Sequence, residues 1–111
     1  MRLSSKQLIE WTAKQCGITV ENMTGRCKFI EYVIPRSIAM KLMREELGMT
    51  LNMISRNFNR SHTTVLSNLR HLDNKHLIER PDWNKDLNRI REQIREFQAA
   101  QVELNSIVTE D

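Results

Sequence analysis

Two apolar-periodic stretches lie only three residues apart, and that spacing limits what this chain can fold into more than any other feature. In "LNMISRNF", residues 51–58, Leu51, Ile54 and Phe58 fall on one helical face. In the stretch that follows, Val65, Leu66, Leu69 and Leu72 do the same. Between them stands Asn59-Arg60-Ser61, a turn too short to let two helices drift apart. Thr50 suits the N-cap of the first helix and Ser61 that of the second. Two helices joined this way form a helix-turn-helix candidate, in which the second helix enters the major groove of a duplex.

The flanking segments also read as helices. "SSKQLIEWTAKQCG" has Ser4 or Ser5 as cap, Leu8, Trp11, Thr12 and Cys16 near helical spacing, and Gly17 as its stop. "ITVENMTG" predicts a short helical turn between Thr19 and Gly25. "RCKFIEYVI" lacks helical periodicity and runs into a proline, so it reads as an extended, basic-ended loop. Pro35 then fits the first turn of "PRSIAMKLMREELG", whose buried stripe is Ile38, Ala39, Leu42, Met43 and Leu47. After the break at 79–85 a long helix carries Leu87, Ile90, Ile94, Phe97, Leu104 and Val108. Its seam comes close to three heptads but is interrupted by polar Gln101.

The expected fold is therefore all-α: a small helical bundle with a helix-turn-helix, plus a long C-terminal amphipathic helix. Aromatic content of 5% and the brevity of β-branched clusters such as "YVIP" argue against a sheet. At 111 residues the chain suits one domain, divided here into a DNA-binding part at 1–80 and the helix at 81–111. That helix either packs back on its own domain or zips to a second copy as a homodimer through residues 84–108.

The net charge of +3 conceals an asymmetry. Residues 24–80 hold ten Lys/Arg against five acids, and residues 81–111 hold four against seven. A basic centre is the electrostatic footprint of a nucleic-acid binder, although a solvated basic face has the same composition. No apolar run reaches the roughly 18–20 residues of a membrane span, and Cys16 and Cys27 form no C-x-x-C pair. The expected setting is cytoplasmic, at the nucleoid. Neither phosphate-cradling glycine motif occurs, and His62, His71 and His76 lack metal-ligand spacing. The sequence predicts no enzyme, no cofactor and no metal.

The start of the helix at 62 is crowded with polar groups. Ser61 explains itself as a cap, whereas His62, Thr63 and Thr64 add little helix propensity. Free N–H groups at a helix start attract phosphate oxygens, and Thr can offer its methyl and hydroxyl to base edges. Asn68 and Arg70 lie further along, where they can reach the DNA backbone.

"PRSIAMKLMREELGMTLNMISRNFNRSHTTVLSNLRHLD" resembles the C-terminal DNA-binding domain, domain IV, of DnaA, the bacterial chromosomal replication initiator. That family carries a Gly-Arg-Asp-His-Thr-Thr-Val signature, which here reads Asn59-Arg60-Ser61-His62-Thr63-Thr64-Val65. The resemblance covers about residues 6–78 and implies a standalone domain without the ATPase. It implies double-stranded DNA as partner, with Ser61, His62, Thr63 and Thr64 facing bases in the major groove. Arg26 and Lys28 become minor-groove candidates, and Arg36, Arg60 and Arg70 contacts to the DNA backbone. The departures are Ser61 for the family's acidic residue, Asn59 for its glycine pair, Ile34 before the helix proline and Ser37 after Pro-Arg.

The leading expectation is sequence-specific duplex binding in replication initiation or its regulation. One alternative is a dimeric helix-turn-helix transcription regulator. Another, of a different class, is a protein-interaction adapter that has lost DNA binding.

Overall fold

The computed structural model describes residues 3–26, 29–74 and 83–109. Among these residues six helices follow one another: α1 (Ser5–Cys16), α2 (Val20–Thr24), α3 (Ile30–Glu45), α4 (Leu51–Phe58), α5 (His62–Asn74) and α6 (Trp83–Thr109). The described residues contain no strand, so the all-α expectation holds.

Each early helix starts where a side chain can take its orphan amides. Ser4 Oγ accepts from the Gln7 N–H at 3.1 Å while the Gln7 side chain accepts from the Ser4 N–H, a reciprocal capping box. Thr19 and Thr50 cap α2 and α4 through the amides of Asn22 and Met53.

α3 is the axis of the bundle. Residues 34–40 are all buried, so it is enclosed on nearly every side instead of presenting one stripe. α1 and α5 pack against it, with α2, α4 and α6 completing the shell. The core joins Leu8, Ile9 and Ala13 of α1 with Met23, Ile38, Leu42, Met43, Ile54, Phe58, Val65 and Leu72.

One expectation is corrected here. The sequence read residues 26–34 as an extended loop, yet α3 begins at Ile30 and Pro35 lies inside it. The cost of that proline is limited to one hydrogen bond, the amide that would have reached the Glu31 carbonyl. Glu31 is exposed, so water can serve that carbonyl. The helical path in turn buries Ile34 and Pro35 in the core. Packing outweighs the local preference of a pre-proline residue.

α6 lies back on α1 and α3. Trp83, Leu87, Ile90 and Ile94 are buried, and Phe97 meets Trp11 edge-on with ring centroids 5.9 Å apart. Arg91 bridges Glu45 at 2.8 Å and Glu46 at 2.9 Å on the end of α3, and Gln15 Nε2 donates to Asp86 at 3.2 Å. Four of the six apolar residues that could have formed an intermolecular seam thus serve the chain's own core. The side chains of the other two, Leu104 and Val108, lie outside the described set. No helix among the described residues is long and apolar enough to cross a membrane.

Candidate nucleic-acid interface

The turn between α4 and α5 is built without glycine. Asn59 closes α4 in the left-handed region with φ 51°, the only non-glycine among the described residues at positive φ. Its amide donates to the Arg56 carbonyl at 3.3 Å, and the Arg60 amide to the Ser55 carbonyl at 2.9 Å. These bonds satisfy carbonyls that the helix end would leave bare. Asparagine tolerates the conformation because its short polar side chain adds little crowding.

Ser61 then starts α5. Its Oγ accepts from the Thr64 N–H at 3.2 Å and lies 3.0 Å from Thr64 Oγ1. One capping bond therefore orders two of the side chains expected to face bases. Ser61, His62 and Thr63 are exposed, Thr64 is half-buried, and Val65 is fully buried against the core. The apolar residue fixes the helix while the polar ones face outward. The amides of the first turn and the positive end of the helix dipole point the same way, which suits a negatively charged partner.

A second contact was not foreseen from sequence. His62 Nε2 lies 3.3 Å from Asn52 Oδ1 on α4, so the first helix holds the first residue of the second. The signal was available: with Leu51, Ile54 and Phe58 inward, helical geometry turns Asn52, Met53 and Arg56 outward. All three are exposed. Arg56 adds an exposed positive charge to this outward face of α4, one that the sequence pattern alone does not single out.

The other candidates separate by environment. Arg70 is exposed on α5, roughly 12 Å along the axis from His62 at 1.5 Å per residue. Asn68 is half-buried, and its Nδ2 leans 3.7 Å from Met40 Sδ on α3. Arg26 is exposed at the start of the α2–α3 loop, whereas Lys28 lies outside the described residues.

Arg36 requires a correction as a surface contact. It is 3% exposed, and its Nε donates to the Met23 carbonyl at 2.7 Å. In this arrangement its Nε is turned to the end of α2 and almost none of the side chain reaches the surface. Arg60 is half-buried and donates through Nη2 to the Gly25 carbonyl.

Residues 5–71 fit the family described as bacterial DnaA protein helix-turn-helix. This chain belongs to that family. Similar relatives include two proteins named chromosomal replication initiator protein DnaA 1. The one from Chlamydia muridarum is 34% identical over 87 residues, which is 78% of this chain and 19% of that protein. The one from Chlamydia trachomatis is 35% identical over 89 residues, 80% of this chain and 19% of that protein. A DnaA from Latilactobacillus sakei is 38% identical over 66 residues, 59% of this chain and 15% of that protein. The chain thus spans about a fifth of the length of the curated relatives it matches. The family match at residues 5–71 runs from α1 into α5, while the alignments with the two Chlamydia proteins are long enough to extend into α6.

Proposed function

We propose that the chain binds double-stranded DNA in a sequence-dependent manner and acts in replication initiation or its regulation, as a binding protein and not as an enzyme. α5 enters the major groove with Ser61, His62, Thr63 and Thr64 toward base edges. The loop at Arg26 and Lys28 reaches the adjacent minor groove, and Arg56 and Arg70 neutralise phosphates. The observation that carries this reading is the exposed polar start of α5, fixed by the Ser61 cap and the Asn52–His62 contact.

Fluorescence anisotropy at several salt concentrations tests it, with an initiator-box duplex, a scrambled duplex and a random pool. Tighter binding to one sequence, with affinity falling as salt rises, is the expected result. Equal affinity for all three duplexes removes the sequence-dependent part. No affinity at low salt removes DNA binding altogether.

A further inference from the structure

Two arginines converge on the end of α2. Arg36 from α3 donates to the Met23 carbonyl at 2.7 Å, and Arg60 from the helix-turn-helix turn donates to the Gly25 carbonyl. α2 is only five residues long, and its last carbonyls carry the negative end of its dipole. Two guanidinium groups answer that charge. The two ties differ in where they begin. Arg36 joins α2 to the helix it already packs on, whereas Arg60 reaches across 35 residues of sequence from the turn between α4 and α5.

Arg60 is well placed to act as a strut. Its own amide is bonded to the Ser55 carbonyl, so its backbone is fixed in the turn. One residue further on, Ser61 starts the reading helix. At the other end of the strut, Gly25 immediately precedes exposed Arg26. α2 packs mainly on α1 and α3, with Met23 fully buried as its anchor. Among the described residues, Arg60 thus provides a polar link from the end of α2 to the turn that starts the reading helix.

We infer that Arg60 is a positioning residue that sets the distance between the major-groove reader at 61–64 and the minor-groove arm at Arg26. This inference rests on the DNA-reading assignment proposed above. With the strut in place, one register on the duplex satisfies both grooves without a separate ordering cost for the arm. Without it, α5 still docks but the arm must be ordered during binding. An ordinary phosphate contact behaves differently, since it adds affinity independently of the arm and contributes its own increment to the salt slope.

The test uses the full chain and the duplex it selects from a random pool, flanked by A·T pairs, with netropsin as a minor-groove competitor. Wild type is expected to lose affinity when netropsin fills the flanking minor groove. Arg60→Ala is expected to bind about tenfold more weakly, a loss of about 1.4 kcal/mol, and to become indifferent to netropsin. Arg26→Ala should also become indifferent, and the double variant should be no weaker than Arg60→Ala alone. His62→Ala combined with Arg60→Ala should show additive losses. Arg60→Lys, which restores a single donor, should recover part of the netropsin response.

Gly25→Ala provides an independent perturbation with Arg60 intact. A Cβ there would meet the Glu21 carbonyl oxygen at 3.0 Å, which crowds the end of α2. It should mimic Arg60→Ala in its netropsin response, with the helical signal of both variants retained by circular dichroism. The inference is overturned if Arg60→Ala keeps its netropsin response, adds to Arg26→Ala and lowers the salt slope by about one. If wild type itself ignores netropsin, minor-groove reading fails, and the positioning role of Arg60 fails with it.

Discussion

The imidazole of His62 rests on Asn52, with Nε2 3.3 Å from Oδ1. The contact holds the ring at the exposed front of α5. An imidazole nitrogen held there is suited to hydrogen bonding with a base edge.

His62→Ala is therefore expected to cost about 1–3 kcal/mol of discrimination at one base pair while changing nonspecific affinity little. Asn52→Ala should lower the same discrimination by a smaller amount, because the ring remains but loses its orientation. Competition against single base-pair variants of the preferred duplex reads both effects. Unchanged ranking of the variants in His62→Ala would remove it from the base-reading set.

Exposed and buried arginines should separate cleanly. Arg56→Ala and Arg70→Ala remove exposed charge, so they should weaken all duplexes alike and each flatten the salt slope by about one. Arg36→Ala leaves the Met23 carbonyl without its buried donor and should instead destabilise the fold by about 1–3 kcal/mol. Thermal melts and salt titrations of the three variants give the comparison. A flattened salt slope with an unchanged melt in Arg36→Ala would return that residue to the DNA backbone.

Arg36 also marks where reading the sequence stops short. The turn at 59–61, the caps at Ser4, Thr19, Thr50 and Ser61, and the apolar stripes of α4 and α5 follow from local rules and appear as expected. Burial of an arginine is not local: it depends on α2 folding back to offer a carbonyl thirteen residues away. The start of α3 at Ile30 has the same character, because the core that rewards a helical Ile34 and Pro35 is assembled from α1, α2 and α5. Asn52 was missed for a different reason, since its partner lies across the turn on another helix.

The docking of α6 rests on its apolar stripe more than on its charges. Ile90 is fully buried, so Ile90→Ala should cost about 2–5 kcal/mol. Arg91→Ala breaks bridges to Glu45 and Glu46 whose side chains are 42% and 19% exposed, and a partly solvated network of this kind contributes about 1 kcal/mol or less. Chemical denaturation of both variants should give these unequal losses. A larger loss for Arg91→Ala would mean that the ion pairs, not the core, hold α6 in place.

Ser61 combines a structural duty with a position that carries an acidic residue in the DnaA signature. Its Oγ caps α5 through the Thr64 amide, so Ser61→Ala should cost about 1 kcal/mol of stability. Ser61→Asp keeps a good cap and adds a charge that the positive end of α5 favours. Stability should therefore hold or rise slightly, while DNA preference changes. A carboxylate accepts from the exocyclic amine of cytosine, which a hydroxyl recognises with less selectivity. Selection from a random pool with wild type and with Ser61→Asp should yield sites that differ at one base pair, with the variant favouring an amine donor there. Identical selected sites for the two proteins would show that residue 61 caps the helix without reading the duplex, leaving His62, Thr63 and Thr64 to account for its preference.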